Sequence, residues 1–170
     1  VTVPKTGKFE YVFPFKQAKR REDDISIVTC VMRVRLVEKD NLLVVAESAF
    51  AFGGMAAKTV AAPLTSAFLL DKPWTTKTIT KAKKVLFEDL PLPDDVPGGQ
   101  PEYRRSLAAS FLYKFFVSVC VQLEKDAGEI PVEAIPDREK SAARSFVTSR
   151  KPVMVGTQRY PKPKFTPGLE

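Results

Sequence analysis

The chain has 170 residues, of which 44% are hydrophobic and 28% are charged, and its net charge is +7 at pH 7. This composition is typical of a soluble globular domain with a hydrophobic core. The chain contains no histidine and two cysteines, which excludes histidine-dependent catalytic and metal sites in this chain and excludes a disulfide framework.

The first half of the chain predicts three strands. Residues 8–16, KFEYVFPFK, alternate aromatic and polar side chains, and Pro14 indicates an edge strand or a bulge. Residues 24–39 alternate with a period of two, which predicts a strand with one face on a core. The turn signal EKDN at 38–41, followed by an extended stretch to Phe52, predicts an antiparallel hairpin. The expected core face of the second strand is formed by Val28, Cys30, Met32, Val34 and Leu36.

Glycines and prolines divide the rest of the chain. Gly53-Gly54 should end the third strand, because a bend or a close backbone approach there requires the absence of Cβ. A short strand and then a short helix are expected in the stretch that follows. Thr75 or Thr76 can cap a helix over about 76–90, in which apolar residues recur at helical spacing.

A longer helix is predicted from about Tyr103 to Lys125, after the helix-breaking sequence PLPDDVPGG. Its 18 most apolar residues, 106–123, have the composition of a short membrane span. A charge at the centre of a span is costly, so Lys114 favours a buried core helix instead. Cys30 and Cys120 both lie in apolar runs, and we expect them to be buried thiols in a reducing compartment.

These elements predict an α+β fold, in which a small antiparallel sheet packs against helices on one face. We expect one domain over residues 1–126. Residues 127–170 are rich in proline and charge, and are expected to form a linker or tail with a short helix around 137–146. No secretion signal opens the chain, and its start at Val1 in a stretch with Pro and Lys suggests a fragment or a processed product.

The most unusual local feature is the charged run KQAKRREDD, residues 16–24, between the first two predicted strands. It contains no glycine or proline. One interpretation is a solvated connection between strands. The other is a polar loop at the rim of a site that binds a charged ligand, with Lys16 at the end of the first strand within reach of that ligand.

Four segments, in order along almost the whole chain, resemble the FAD domain of xanthine dehydrogenases, in the molybdenum-flavin hydroxylase family that includes aldehyde oxidases. The first is FPFKQAKRREDDISIVTCVMRV, which departs from the family pattern at Ser26 and Val31. The others are AFAFGGMAAKTVAA, the segment LPLPDDVPGGQPEYRRSLAASFLYKFFVSV, and SRKPVMVGTQRYP near the C-terminus. The complete R-R-E-D-D run favours the xanthine dehydrogenase branch.

The resemblance implies the C-terminal part of a FAD-binding domain, with a three-stranded antiparallel sheet and a small helix bundle. It implies a fragment of a purine-hydroxylating oxidoreductase of purine catabolism, in which electrons pass from molybdopterin through 2Fe–2S clusters and FAD to NAD or oxygen. The expected partners are FAD, the other half of the FAD domain, and the iron–sulfur and molybdenum domains of a homodimeric parent. The isolated chain is expected to be inactive, and the cytoplasm or the peroxisome is the expected compartment.

Residue roles also follow from this resemblance alone. Lys16 matches the lysine that contacts FAD, and residues 17–27 match a loop that lines the approach to the flavin and helps to decide whether NAD reaches it. The residues expected to set the position of that flavin-gating loop are Gln17, Arg20, Arg21, Asp23 and Asp24. No catalytic residue or metal ligand is expected in this chain.

The basic charge leaves an alternative function open, namely a stand-alone module that binds nucleic acid or protein without catalysis. Acidic residues are interleaved with Lys and Arg in most segments, and the chain has no RNP-like motif, zinc finger or basic heptad region. These observations disfavour nucleic-acid binding. No membrane association is expected.

Overall fold

The structure is a computed structural model that describes Thr2, residues 4–19 and residues 24–143. An antiparallel sheet with the strand order β1-β2-β3-β4 is followed by helices. The strands are β1 (Glu10–Ala18), β2 (Ser26–Lys39), β3 (Leu42–Gly53) and β4 (Val60–Ala61). The helices are α1 (Pro63–Leu69), α2 (Thr76–Asp89), α3 (Pro101–Asp126) and α4 (Asp137–Ala143).

The predicted α+β class is confirmed, and the sheet has one strand more than the three expected. β4 pairs with Ala51 and Phe52 over only two residues. The pairing stops there because Pro63 begins α1 and has no N–H to continue a ladder. The residue pattern predicts a short strand in this stretch, but it does not indicate that this strand joins the sheet.

The β2–β3 hairpin closes through a tight turn at Asp40 and Asn41. Both residues have positive φ, +52° and +58°, as type I′ hairpin turns require and as Asp and Asn tolerate. The turn sets Lys39 opposite Leu42. The register shifts once, between Arg35 and Leu36, where β3 has one extra residue. On both sides of this shift the buried apolar residues of β2 lie on one face of the sheet, the inner face.

Helix α3 lies on the inner face, and Phe115 is the centre of the contact. Its ring packs edge-on against Phe13 of β1, Phe50 of β3 and Trp74, with centroid distances of 6.1, 6.0 and 5.9 Å. By length and apolar composition α3 could cross a bilayer, but half of its most apolar 18-residue window is buried within the domain. The contacts are those of the core helix that the sequence predicted.

Helices α1 and α2 share a polar connection. Thr75 caps α2 through its hydroxyl oxygen, which accepts from the backbone N–H of Thr78. At the other end of α2, the Asp89 carboxylate accepts from the backbone N–H groups of Leu64 and Thr65. The N-cap residue of α1, Ala62, makes no side-chain hydrogen bond to the first turn of that helix. Asp89 accepts from the backbone N–H groups that Ala62 leaves unbonded. This contact ties the two helices together at one end.

The segment after α3 packs back onto that helix. Ile135 is buried, Lys140 forms an ion pair with Glu124, and the Tyr113 hydroxyl donates to Glu139. The short helix expected around 137–146 is present as α4, and its predicted last three residues lie outside the described part of the chain. The division into residues 1–126 and 127–170 stays a prediction.

Both cysteines are buried free thiols, as predicted. Burial raises the pKa of Cys30 to about 12, and burial also raises the pKa of Cys120 to about 12. Neither side chain therefore supplies a thiolate at neutral pH.

Candidate functional site

The candidate site lies at the end of the sheet where β1 ends, β2 begins and β3 ends. Lys16 is paired with Thr29, and Thr29 is paired with Gly53, so these three residues form one row across three strands. We call them the Lys16 row. It is the last row at this end in which all three strands are paired, because the β2–β3 ladder stops at Gly53. Beyond this row β1 and β2 remain paired as far as Ala18 and Ser26, where β1 ends within the charged run.

Lys16 is exposed on the outer face of the sheet, opposite α3. Its neighbour Phe15 points to the inner face and stacks on Phe111 of α3, with ring centroids 5.7 Å apart. The Thr29 hydroxyl donates to the Phe15 carbonyl over 3.2 Å. Among the described residues, the side chain of Lys16 makes no hydrogen bond or ion pair. Its backbone is thus held by strand pairing and by the packing of Phe15, while its side chain is exposed on the outer face.

The predicted loop residues can be placed only in part. Gln17 lies at a register shift between Gln17 and Ala18, and its side-chain amide donates to the Ala18 carbonyl over 2.9 Å. The shift leaves Ile27 of β2 without a partner on β1, so the extra residue lies in β2. Asp24 is exposed near the start of β2. The remaining predicted loop residues lie outside the described part of the chain, and these are Arg20, Arg21 and Asp23.

Gly53 and Gly54 allow the end of β3 to lie against the start of β2. Gly54 has a φ of +82°, and a Cβ at this position would be 2.1 Å from the Ile27 carbonyl oxygen. A Cβ on Gly53 would be 2.8 Å from the methyl group of Thr29. The predicted close approach at this pair of glycines is therefore confirmed, and its partner is the start of β2.

Arg104, on the first turn of α3, contacts the same junction. Its guanidinium donates to the Gly54 carbonyl over 3.2 Å and to the Pro97 carbonyl over 3.1 Å. Sequence reasoning did not select this residue. The available signal was its position within the PGGQPEYRR segment, but nothing in the local pattern indicates which backbone carbonyls it contacts.

The opposite end of the outer face carries an ionic cluster. Arg33 contacts both Glu10 and Glu47, and Arg35 also contacts Glu47. Hydrogen bonds from Arg35 and then from Arg33 lower the pKa of Glu47 to about 2. The cluster crosses three strands and satisfies its own charges, so it fits a role in holding the strands in register better than a role in binding a ligand.

A cleft of about 620 Å³ lies on the helical side of the domain, between α2 and α3. Phe87 and Val117 contribute apolar walls, Lys83 lies over the Tyr113 ring at 5.2 Å, and Glu139 closes one side. Burial and then the hydrogen bond to Glu139 raise the pKa of Tyr113 to about 12. The cleft does not include the Lys16 row, which is on the other side of the sheet. Within the described residues, no group of three or more acidic or cysteine side chains is placed to bind a metal ion.

Sequence relatives share this segment of chain. The CO dehydrogenase flavoprotein C-terminal domain family matches residues 13–119. Xanthine dehydrogenase of Drosophila subobscura is 42% identical over 144 residues, which are 85% of this chain and 10% of that protein. Xanthine dehydrogenase 1 of Arabidopsis thaliana is 39% identical over 144 residues, with the same coverage of 85% and 10%. The chain thus spans about a tenth of the length of the curated relatives it matches.

Solved structures show the same fold. Carbon monoxide dehydrogenase of Hydrogenophaga pseudoflava matches with a TM-score of 0.52 and 20% identity, over 65% of this chain and 36% of that one. Quinoline 2-oxidoreductase of Pseudomonas putida 86 matches with a TM-score of 0.52 and 19% identity, with coverage of 65% and 36%. The chain therefore belongs to the CO dehydrogenase flavoprotein C-terminal domain family, as a segment of a FAD-binding domain of the xanthine dehydrogenase and CO dehydrogenase type.

Proposed function

We propose that this chain supplies part of the FAD site of a xanthine dehydrogenase-type oxidoreductase, and that its charged loop controls the access of NAD to the flavin during purine hydroxylation. The observation that carries the proposal is the exposed Lys16, which the sheet holds at the start of that loop. The identities of 42% and 39% to xanthine dehydrogenases favour this branch over other members of the family.

The described residues fit the edge of a flavin, but not a complete FAD site. Lys16 offers one cationic donor, which suits a ring oxygen or the negative charge of a reduced flavin. No glycine-rich phosphate loop occurs in the chain. Bound FAD would supply the transfer of electrons to the acceptor. Lys16 would orient the ring and stabilise negative charge, while other parts of the enzyme would hold the pyrophosphate.

The proposal includes partners that this chain does not contain. They are the rest of the FAD-binding domain and the iron–sulfur and molybdenum domains, which would carry the 2Fe–2S clusters and the molybdopterin of a homodimeric enzyme. The chain spans about a tenth of its curated relatives, so most of such an enzyme would lie elsewhere. The cytoplasm, or alternatively the peroxisome, is the proposed compartment.

The gating role rests on charge. The nicotinamide ring of NAD is cationic, so acidic side chains near its approach would favour binding and basic ones would oppose it. The loop carries both signs, with Arg20 and Arg21 before Asp23 and Asp24. A change in the position of the loop would therefore change which sign an approaching NAD encounters.

Lys16→Ala tests the flavin contact in the longer enzyme. A hydrogen bond to a charged group contributes roughly 1.5–3 kcal/mol, so the dissociation constant of FAD should rise about 10- to 100-fold. The measurement is flavin absorbance per polypeptide after gel filtration, followed by titration of the apoenzyme with FAD. Lys39→Ala is the matched control, because Lys39 is an exposed cation at the other end of the sheet. Flavin affinity equal to that of the unmodified enzyme would rule out the contact.

Asp23→Lys tests the gate. The substitution changes the charge at this position by two units, and in water the interaction energy with a cation about 8 Å away then becomes less favourable by about 1 kcal/mol. NAD turnover should therefore fall about fivefold relative to oxygen turnover at low salt. The ratio is obtained by assaying each acceptor with the same purine substrate. Glu38→Lys makes the same charge change at the far end of β2 and should leave the ratio unchanged. The same ratio of NAD turnover to oxygen turnover in Asp23→Lys and Glu38→Lys would contradict the gating role of the loop.

A further inference from the structure

Arg104 connects three segments behind the Lys16 row. Its two terminal nitrogens donate to carbonyls from different parts of the chain, Gly54 at the end of β3 and Pro97 in the loop before α3. Its third nitrogen, Nε, is buried and has no hydrogen-bond partner among the described residues. The two carbonyl contacts therefore set the orientation of the guanidinium.

The contact at Gly54 extends to Lys16 through the backbone. Gly54 lies directly against the Ile27 carbonyl, where even one added carbon would be 2.1 Å away. Two residues further along β2, Thr29 pairs with Lys16. A displacement of Gly54 thus displaces the start of β2, and the partner of Lys16 moves with it.

The end of the sheet at the Lys16 row is more prone to local opening than its centre. Terminal rows of a sheet open more readily than central ones, and the Lys16 row is the last one paired across β1, β2 and β3. A planar guanidinium can donate to two carbonyls at once in a fixed geometry, whereas a lysine ammonium is a single point on a flexible stem. Arginine is therefore suited to holding both segments in one arrangement.

We propose that Arg104 is a positioning residue for the flavin contact, because it fixes the Gly54–Ile27 junction and through it the place of Lys16. This inference rests on the proposed function, since it acts through the contact between Lys16 and FAD. Arg104 itself is not expected to touch the cofactor.

A double-mutant cycle on FAD affinity tests the inference in the longer enzyme. The variants are Arg104→Lys, Lys16→Ala and the combination of the two. Loss of one carbonyl contact should raise the dissociation constant of FAD about 5- to 10-fold when Lys16 is present. In the Lys16→Ala background the same change should have no further effect. A residue that only stabilised the fold would change the affinity by the same factor in both backgrounds.

Matched variants isolate the contact. Arg105→Lys is the control, because the neighbouring Arg105 donates to the Leu92 carbonyl instead of to Gly54. If Arg104→Lys does not give folded protein, Gly98→Ala replaces it. A Cβ on Gly98 would be 2.5 Å from the guanidinium of Arg104 and should displace it without removing it.

The outcomes separate the two hypotheses. The positioning role is supported if Arg104→Lys weakens FAD binding when Lys16 is present and has no effect on FAD binding in the Lys16→Ala background. Unchanged affinity, or an equal loss in both backgrounds, overturns it while the proposed function stands. If Lys16→Ala alone leaves the affinity unchanged, the proposed flavin contact fails, and the inference fails with it.

Discussion

Gly54→Ala should lower the free energy of unfolding of the 170-residue chain by about 4 kcal/mol. A side chain at positive φ costs roughly 1–3 kcal/mol, and Gly54 has a φ of +82°. The added carbon would also be 2.1 Å from the Ile27 carbonyl oxygen, and relief of such overpacking typically costs a further 1–3 kcal/mol. The obstacle is backbone, so β2 and β3 must separate at this point. Urea unfolding followed by circular dichroism measures the loss.

Gly99→Ala is the matched control for this experiment. Gly99 also has positive φ, +63°, but no atom lies within 4 Å of the position that its Cβ would occupy. Its replacement should therefore cost only the backbone strain, about 1 kcal/mol. Equal losses in the two variants would show that the contact with Ile27 does not restrain the sheet. A much larger loss for Gly54→Ala would establish a rigid junction beside the Lys16 row.

The strands and the long helix could be predicted because each has a periodic apolar pattern. β2 is the clearest case, since its alternation from Val28 to Leu36 faces a single core. The turn at Asp40 and Asn41 follows from residue types that tolerate positive φ. The charged run pointed to Lys16 as a residue within reach of a ligand, and the resemblance alone gave it a role toward FAD. The pairing register then placed it on the outer face of the sheet.

The contacts of Arg104 could not be predicted in this way. Arg104 and Gly54 are 50 residues apart, and a hydrogen bond to a backbone carbonyl leaves no signature in the side-chain sequence. The same holds for the ionic cluster of Glu10, Arg33 and Glu47, which exists only in the observed register of three strands. A shift of one residue would turn Arg33 to the inner face. Periodicity therefore predicted the elements, whereas their register and polar contacts required the structure.

Phe115→Ala should lower the free energy of unfolding by about 4 kcal/mol, because truncation of a buried phenylalanine removes apolar contact and leaves a cavity. Phe115 is completely buried, and its ring contacts aromatic rings from β1, from β3 and from the segment before α2. A domain of ordinary stability has only 5–15 kcal/mol in total, so this variant should unfold at a much lower urea concentration.

Phe87→Ala serves as the comparison, because Phe87 is 42% exposed on α2 and should lose less than about 1.5 kcal/mol. The two variants together test whether the sheet and α3 share one core. Phe115 holds β1 through Phe13, and Phe111 holds the same strand through Phe15, the residue next to Lys16. If Phe115→Ala costs no more than Phe87→Ala, the Phe115 contacts do not join the sheet and α3 into one core, and β1 is then held to α3 by the Phe15–Phe111 stack.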